Sequence, residues 1–452
     1  MRIAVFGAGP AGFFATEELL KRPGCGVTVD LFDRLPTPYG LVRGGVAPDH
    51  EKTKGVIKQF EKTAARPGFR FFGNVTFGTD LSLAEVLAHY HQVLFATGAE
   101  GDRRLGLSGE DLPGSHSATA FVGWYNGHPD YRDARFDLGA EQVVVVGNGN
   151  VAVDVARILT RSVDDLARTD IAEHALEALR HSRVKEVSLL GRRGPAQAAF
   201  SNPELRELTT LAAVDLVVRP EDIELDAVNR TFLERHASRH PQRNLEFLVA
   251  QSASGEGTQP RKIRMRFFVS PVEILGTHRV EGLRVERTRL VEEAHGFHAR
   301  GTGVFEEIRS RLIFRAVGYQ GHRLAGVPFD DRHGIIPNQE GRVFEPLTGA
   351  PLPRVYVAGW IKRGPSGVIG TNRPDAVATV RVMLEDAERD SGFDTVSPDP
   401  DGVPALLTRK QIQTVTFEGW TRIDAAEIAA GEQRGKPREK FTTLAQLLAA
   451  TD

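Results

Sequence analysis

The sequence contains one cysteine, Cys25, among its 452 residues. One thiol cannot form an internal disulfide, a CxxC redox pair or a zinc site built on several cysteines. It also cannot hold an iron–sulfur cluster without ligands from elsewhere. Redox chemistry in this chain would therefore have to use a bound organic cofactor.

Long apolar segments are also missing, since no run of hydrophobic residues approaches the roughly 20 that a membrane span requires. The first residues form a strand-like run, Arg2 to Phe6, instead of the basic segment, apolar segment and cleavage site of a secretory signal. A net charge of −2 argues against bulk attraction to nucleic acid. We therefore expect a cytoplasmic protein with no membrane span and no nucleic-acid partner.

The composition is typical of a globular protein, with 41% hydrophobic and 26% charged residues. A chain of this length is too long for one ordinary core, so two or three domains are expected.

The N-terminal segment IAVFGAGPAG predicts a strand, a glycine turn and a helix. Gly7 allows the tight turn, Gly9 lets the backbone approach a pyrophosphate, and Gly12 lets the helix pack closely on the strand. Asp33 stands 26 residues after Gly7, at the end of the next predicted strand, where an acid can accept hydrogen bonds from a ribose. This pattern favours a dinucleotide site; the alternative is a βαβ unit whose glycines serve packing alone.

A second segment of this kind is VVVVGNGNVAVD, from Val143 to Asp154. A run of four valines meets a turn with Gly147 and Gly149, and an amphipathic helix follows from Asn150. The chain thus carries two predicted sites at which a dinucleotide pyrophosphate can rest on a helix N-terminus.

The end of the following strand carries Arg192 and Arg193, where an NAD site would have an acid. Arg192 lies 43 residues after Gly149, and we attribute the long spacing to an inserted helix with Asp170 and Glu173 placed as its cap. Two guanidiniums suit the 2′-phosphate of NADP, because they form bidentate, charge-assisted bonds. The alternative is a solvated basic turn.

A loop rich in proline and glycine, LPTPYGLVRGGVAPDH, runs from Leu35 to His50. Its composition predicts an ordered loop without regular structure that forms a wall against a flat ring, or else a rigid connector. His50 either belongs to that site or caps a helix predicted from about Glu51 to Ala65.

The fold class predicted from these patterns is α/β, with two Rossmann-like domains. Strands at 262–269, 283–289 and 312–317 are predicted to form an antiparallel addition to the second domain. The similar segments 96–98 and 316–318 are interpreted as crossings between domains, so that a domain of residues 106–319 is inserted into one of residues 1–105 and 320–452. The latter has its final strand at 355–359, followed by a helix at 374–387. Beyond Ser391 the tail is more polar, with a short helix predicted near Leu444 and no chemistry assigned to it.

Taken together, the glycine turns, the proline-rich loop, LLGRRG, NPELREL and AGWIKRGPSGVIGTN closely resemble the adrenodoxin-reductase-type NADPH:ferredoxin reductases over nearly the whole chain. The resemblance implies FAD in the discontinuous domain and NADP(H) in the inserted one. By motif it implies FAD contacts at Ala11, Asp33, Leu41, Trp360, Gly367, Val368 and Ile369. It implies NADPH contacts at Arg103, Asn148, Gly149, Asn150, Val151, Arg192, Arg193 and Glu204, with Gly367 near the nicotinamide. Two departures are Asp33, where many members have Glu, and Asn202-Pro203 before Glu204.

The implied activity is that of an FAD-dependent ferredoxin–NADP⁺ reductase, with hydride transfer between NADPH and FAD and single electrons passed to a ferredoxin-type iron–sulfur protein. His50 and Glu204 would be polar groups that orient the nicotinamide, although without the resemblance Glu204 would be taken for a surface acid. An NADPH-dependent flavin monooxygenase, or another flavoprotein oxidoreductase, is the alternative. We expect a monomer and no metal site.

A basic segment is the candidate docking face for an acidic ferredoxin. It runs from Asn229 to Arg243 and carries four arginines, two histidines and one acid: Arg230, Arg235, Arg239, Arg243, His236, His240 and Glu234. A solvated helix face explains the same pattern.

Overall fold

The computed structural model describes residues 1–21, 26–235, 239–389 and 399–451, so that Cys25 and His236 lie outside the described residues. The chain divides into two compact units. The first comprises Met1–Arg103, Asn126–Arg132 and Gly318–Asp452, and the second comprises Arg104–Tyr125 and Asp133–Val317. The segment 126–132, which the sequence-based boundaries assigned to the inserted domain, thus groups with the first unit.

The N-terminal part of the first unit alternates strands and helices. Its strands are β1 (Arg2–Phe6), β2 (Thr28–Phe32), β3 (Phe69–Phe72), β4 (Gln92–Phe95) and β5 (Gly101–Asp102), and its helices are α1 (Pro10–Leu20), α2 (Leu41–Gly44), α3 (Glu51–Lys54), α4 (Ile57–Ala64) and α5 (Leu83–His89).

The second unit carries the next group of elements. Its strands are β6 (Ser115–Ser117), β7 (Gln142–Val146), β8 (Glu186–Leu190), β9 (Val214–Val218), β10 (Arg261–Arg266), β11 (Val269–Leu275), β12 (Gly282–Glu293), β13 (Gly296–Arg309) and β14 (Leu312–Arg315). Its helices are α6 (Ala118–Tyr125), α7 (Asn150–Thr160), α8 (Val163–Leu166), α9 (Glu173–Arg180), α10 (Asn202–Glu207), α11 (Pro220–Ile223), α12 (Ala227–Arg235) and α13 (Arg239–Ala253).

The chain then completes the first unit. The strands are β15 (Tyr319–Gln320), β16 (Asn338–Gln339), β17 (Arg342–Phe344) and β18 (Pro351–Val357), and the helices are α14 (Trp360–Arg363), α15 (Asn372–Arg389), α16 (Gly402–Arg409), α17 (Phe417–Glu432) and α18 (Leu444–Ala449).

The described part of the first unit contains a seven-stranded sheet in the order β16-β17-β18-β4-β1-β2-β3. The five strands from β18 to β3 pair in parallel, while β16 and β17 form an antiparallel edge. Both faces of β1 are buried, because Ile3 and Val5 pack into one apolar cluster and Ala4 and Phe6 into another. Burial on both faces explains why β1 is apolar throughout after Arg2 instead of alternating.

The described part of the second unit contains a parallel six-stranded sheet in the order β6-β14-β7-β8-β10-β9. The antiparallel sheet beside it consists of β11, β12 and β13. The prediction for this region was therefore partly wrong: the strands expected at 262–269 and 312–317 correspond to β10 and β14, which belong to the parallel sheet. In β10 the period-two pattern arises because one face is less buried, with Ile263 and Met265 buried and the arginines half-buried. In β14 the first three residues are all buried.

Three local predictions also need correction. The loop from Leu35 to His50 contains the short helix α2, and the helix expected from Glu51 to Ala65 is divided into α3 and α4. Helix α9 begins after Ala172, with no side-chain cap, so Asp170 is not its cap.

The α/β fold with two Rossmann-like units is confirmed. Among the described helices, none is long and apolar enough to cross a bilayer.

Candidate functional site

The first glycine turn, between β1 and α1, requires glycine for steric reasons. Gly7 has a φ of +105°, and a Cβ at this residue would lie 2.4 Å from the carbonyl oxygen of Ala96. A Cβ at Gly12 would lie 1.9 Å from the carbonyl oxygen of Gly7. These contacts show that strand and helix approach each other as closely as the sequence pattern predicts.

The main-chain N–H groups at the N-terminus of α1 have no side-chain acceptor in the described structure. Gly9 is the N-cap, and among the described residues no side chain caps the helix and no acid stands in its first turn. Ala11, which lies in that first turn, is buried and small. Such a helix end attracts an anionic group, and the turn fits the pyrophosphate of a dinucleotide.

Asp33 stands at the end of β2 beside this turn. One carboxylate oxygen accepts a hydrogen bond from the N–H of Ala8 over 2.8 Å, and the other accepts one from the N–H of Leu35 over 3.0 Å. Burial raises the pKa of Asp33 to about 6, despite these two bonds, which act in the opposite direction. A carboxylate with lone pairs left in this place can accept hydrogen bonds from a ribose.

The proline-rich loop packs on the glycine turn. The N–H of Tyr39 donates to the carbonyl of Ala8 over 2.7 Å. Gly40, with a φ of +48°, comes so near that a Cβ on it would lie 3.0 Å from the Cα of Gly9. Leu41 follows as the first residue of α2, so the loop holds its predicted FAD contact beside the turn.

The segment after β18 meets the same turn from another side. Gly359 has a φ of +78°, and a Cβ on it would lie 2.6 Å from the Cβ of Ala11. Its N–H donates to the carboxylate of Asp375 over 2.6 Å. Trp360 then begins α14, and its ring lies 5.5 Å from that of Tyr319, centroid to centroid. The structure thus brings Ala11 and Trp360, which are far apart in the sequence, into one region of the first unit.

The three remaining predicted FAD contacts follow within ten residues. Gly367 has a φ of +80°, Val368 leads into a short 3₁₀ helix, and Ile369 packs partly against the core. Val368 is 60% exposed, in a stretch whose neighbours Gly367 and Gly370 are exposed as well. An exposed apolar side chain suits the face of a flat ligand.

His50 and Arg103 also belong to the first unit. His50 is the N-cap residue of α3, where its carbonyl accepts hydrogen bonds from the N–H groups of Thr53 and Lys54, but its side chain does not cap the helix. His50 thus occupies the N-cap position that the capping alternative predicted, but through its main chain and not through its imidazole. The N–H of Arg103 donates to the carbonyl of Gly318 over 3.0 Å, where the chain re-enters the first unit.

The glycine turn of the second unit repeats the construction of the first. Gly147 has a φ of +143°, and a Cβ on it would lie 2.3 Å from the carbonyl oxygen of Ala316. Gly149 is the N-cap of α7, which in the described structure has no side-chain cap and no acid in its first turn. The first turn contains Asn150 and Val151, so their N–H groups are available to an anion.

The two asparagines of this turn accept hydrogen bonds from the segment that leads to α10. The carbonyl of Asn148 accepts hydrogen bonds from the N–H groups of Ala199 and Phe200, over 3.0 and 3.1 Å. The side-chain oxygen of Asn150 accepts one from the N–H of Ser201 over 2.8 Å. The predicted contact Glu204 is therefore held near the turn by its own main chain.

Arg192 and Arg193 are exposed side by side directly after β8. Their main chain is fixed, because the carbonyl of Arg192 accepts from the hydroxyl of Thr288 and that of Arg193 from the N–H of Phe268. The surrounding protein still removes part of the water from around Arg193, and this desolvation, followed by the charge of Arg192, lowers the pKa of Arg193. Within the described part of the chain, no carboxylate forms an ion pair with either guanidinium, so two positive charges stand together and suit a phosphate dianion.

Glu204 lies in a charge cluster that the sequence did not predict. The fully buried guanidinium of Arg157 on α7 lies 3.4 Å from the carboxylate of Glu204, 3.5 Å from that of Glu207 and 2.9 Å from that of Asp154. The signal in the sequence was an arginine inside the apolar face of VAVDVARIL, with an acid three residues before it.

Comparison with known proteins agrees with this arrangement. Residues 1–193 match the pyridine nucleotide-disulphide oxidoreductase family. The chain is 46% identical, over 99% of its length and 98% of the relative's, to the NADPH-ferredoxin reductase FprA of Mycobacterium tuberculosis. It is 41% identical to the mitochondrial NADPH:adrenodoxin oxidoreductase of Arabidopsis thaliana, over 100% of this chain and 95% of that protein.

Solved structures lead to the same family. The structure of Mycobacterium tuberculosis FprA in complex with NADPH superimposes with a TM-score of 0.93 at 45% identity, and the match covers 100% of this chain and 99% of that one. Because the similarity extends over the whole of both chains, the glycine turns and the arginine pair lie within one shared fold. The chain belongs to the adrenodoxin-reductase-type NADPH:ferredoxin reductases, a family of FAD-dependent oxidoreductases.

Proposed function

We propose that this chain transfers electrons from NADPH, through FAD, to a ferredoxin-type iron–sulfur protein. The observation that carries the proposal is the contrast between its two glycine turns. The first is followed by an acid, Asp33, beside the turn, and the second by the arginine pair, Arg192 and Arg193. One unit is thus suited to a ribose with free hydroxyls and the other to a ribose that carries a 2′-phosphate.

The first unit is proposed to bind FAD. The amide groups at the start of α1 would hold the pyrophosphate, and Asp33 would accept hydrogen bonds from the adenosine ribose. Leu41, Trp360 and Val368 would contact the ring system. When bound, a flavin accepts a hydride and can release the two electrons one at a time, as an iron–sulfur partner requires.

The second unit is proposed to bind NADPH. Gly149, Asn150 and Val151 would present the main-chain N–H groups that hold the pyrophosphate, while Asn148 fixes the turn. Arg192 and Arg193 would bind the 2′-phosphate by charge-assisted bonds. Arg103 and Gly367, both in the first unit, are proposed as further NADPH contacts by resemblance.

His50 and Glu204 are proposed to orient the nicotinamide. Hydride transfer needs no side-chain nucleophile, so their contribution would be to position the ring and to set the local charge.

The partner is proposed to be an acidic ferredoxin that docks on the basic segment of α12 and α13. Arg230 and Arg243 are exposed there, whereas Arg235 already pairs with Glu292. The side chains of Arg239 and His240, like the whole of His236, lie outside the described residues. We further propose that the protein is a cytoplasmic monomer, which light scattering on the purified protein would check for the oligomeric state.

A visible absorption spectrum of the purified protein tests the central proposal. We expect flavin bands that NADPH bleaches under anaerobic conditions and NADH bleaches far more slowly, followed by reduction of an added ferredoxin. A protein without flavin bands, or with bands that NADPH leaves unchanged, would refute it. Oxygen consumed in proportion to NADPH only when an organic substrate is present would favour the monooxygenase alternative.

A further inference from the structure

Helix α17, the last helix but one of the described chain, buries a carboxylate. The side chain of Glu427 is 0% exposed. An isolated charge in such a place is costly, so a buried carboxylate needs a partner of opposite charge. Its main partner is Arg43, whose two terminal nitrogens bind the two carboxylate oxygens over 2.5 and 2.8 Å. Arg438 at 3.3 Å and the N–H of Phe441 at 2.9 Å complete the group.

Arg43 belongs to the proline-rich loop, in helix α2. Its guanidinium also lies over the ring of Trp420 on α17, 5.2 Å from the centroid. The ammonium of Lys440, itself buried, donates to the carbonyl of Arg43 over 3.4 Å. The C-terminal segment, residues 420–440, therefore contacts both the side chain and the main-chain carbonyl of Arg43 in α2.

A second contact joins the same helix to the same loop. The indole N–H of Trp420 donates to the hydroxyl of Tyr39 over 3.3 Å, and the two rings pack at right angles with centroids 5.6 Å apart. Tyr39 is buried and has a φ of +82°, a conformation that residues other than glycine adopt only when their surroundings impose it.

The same loop also contacts the first glycine turn. Tyr39 donates its N–H to the carbonyl of Ala8, and Gly40 lies against Gly9. A continuous series of contacts thus leads from Glu427 through Arg43 and α2 to the turn at which α1 begins.

We propose that Glu427 is a positioning residue for FAD: by fixing Arg43 it holds residues 39–44 against the glycine turn, so that the C-terminal segment forms part of the flavin site. This rests on the proposed function, in that the first unit must bind FAD. Glu427 itself does not contact the cofactor. Its effect is on the shape of the loop wall, and so on FAD affinity and on the environment of the bound ring.

The test compares Glu427→Gln with Glu418→Gln, a matched control on the same helix whose carboxylate is 77% exposed and pairs with Arg422 one turn away. FAD is removed from each protein and titrated back, and binding is followed by the quenching of flavin fluorescence. We expect the dissociation constant to rise about tenfold or more for Glu427→Gln, because Arg43 loses its buried partner. The visible circular dichroism of the bound flavin should change as well. The control should match the wild type in both measurements.

A double variant separates positioning from a loss of stability. In Glu427→Gln/Arg43→Met the uncompensated guanidinium is gone, so the melting temperature should recover toward that of the wild type. The link between α17 and α2 is still broken, so FAD affinity should stay about tenfold weaker. A double variant with wild-type FAD affinity would show that Glu427 only neutralises a charge, and would overturn the proposal.

Trp420→Phe tests the second contact if Glu427→Gln does not fold. It keeps an aromatic ring and removes the hydrogen bond to Tyr39, and we expect a smaller rise in the FAD dissociation constant, about threefold. Unchanged affinity in Trp420→Phe or in Glu427→Gln would contradict the inference. A wild-type protein that binds no FAD would refute the proposed function instead, so the two failures are distinguishable.

Discussion

The N–H of Ala8 and the carboxylate of Asp33 form a 2.8 Å hydrogen bond that ties the first glycine turn to the end of β2. Because burial raises the pKa of Asp33 to about 6, the carboxyl changes its charge in a range that binding assays reach easily. Ribose hydroxyls donate to the ionised form, so FAD should bind that form better and should release a proton when it binds at lower pH.

The first prediction is therefore a pH dependence of FAD affinity. Affinity should rise with pH up to about pH 6, by at most about tenfold per pH unit, and then level off. Asp33→Asn should remove this dependence and weaken FAD binding about tenfold at pH 7.5. Titrations between pH 5 and 8 check it, with Asp111→Asn, an exposed acid, as control. Equal pH profiles for the wild type and Asp33→Asn would contradict it.

The second prediction concerns the choice between NADPH and NADH. Replacing both Arg192 and Arg193 with alanine should lower kcat/KM for NADPH by about 100-fold or more. The reason is that the 2′-phosphate loses the charge-assisted bonds that the two guanidiniums would donate. The same ratio for NADH should change by less than about threefold, since NADH lacks that phosphate. Steady-state kinetics with ferricyanide as acceptor measure both.

An exposed arginine of the same unit, Arg180, provides the control, since it lies on α9 and pairs with the exposed Glu177 on the same helix. Arg180→Ala should leave both coenzymes unaffected. A loss of the same size for NADPH and NADH in the double variant would mean that the pair serves the fold and not the phosphate.

The glycine turns were predictable because their chemistry is local. At Gly7 and Gly147 a positive φ and a carbonyl less than 2.5 Å from a would-be Cβ leave no other residue possible. The order of strand, turn and helix follows from the same short segments. The α/β class, the two Rossmann-like units and the insertion of one into the other were accordingly within reach of the sequence.

The sheet assignment of β10 and β14 was not predictable from alternation. The half-buried basic side chains of β10, which alternate with the buried Ile263 and Met265, mimic an antiparallel strand, although the strand lies in a parallel sheet with one face less covered. Partner choice depends on the neighbours, β8 and β9 for β10, which are distant in the chain. No short pattern contains that information.

The buried charges were missed for the same reason. Glu427 looks like an ordinary helix-surface residue, and the position of Arg157 in an apolar helix face does not reveal its partners; both side chains are buried only by tertiary packing. The partner of Glu427 is Arg43, 384 residues away in the sequence. The C-terminal segment could therefore be given a helix near Leu444 but no role, since its role depends on contacts with the N-terminal loop.

The third prediction separates stability from chemistry in the charge cluster around Arg157. Arg157→Met should lower the free energy of unfolding by about 3 kcal/mol, because three neighbouring carboxylates lose their common cation. Glu204→Gln should cost less than about 1 kcal/mol, since Asp154 and Glu207 still neutralise Arg157.

Urea unfolding of both variants, with Arg180→Met as control, measures these energies. Glu204→Gln should instead lower kcat for NADPH oxidation, as expected of a group that orients the nicotinamide. Wild-type kinetics combined with a large loss of stability in Glu204→Gln would assign Glu204 to the fold alone.

The last prediction concerns the docking of ferredoxin on α12 and α13. Arg230 and Arg243 are exposed, whereas Arg235 is engaged with Glu292 and so contributes less positive potential. Reversing the charge in Arg230→Glu/Arg243→Glu should lower kcat/KM for ferredoxin reduction about tenfold at low ionic strength, because steering of an acidic partner is lost.

The loss should shrink as salt screens the charges, and reduction of ferricyanide should stay unchanged. Arg168→Glu/Arg180→Glu makes the same change of charge on another exposed part of the second unit and controls for the net charge. If that control slows ferredoxin reduction equally, the effect comes from the overall charge; if ferricyanide reduction falls as well, the variant has damaged the path of the electrons and not the docking face. Only a loss confined to ferredoxin and to α12 and α13 identifies this segment as the docking surface.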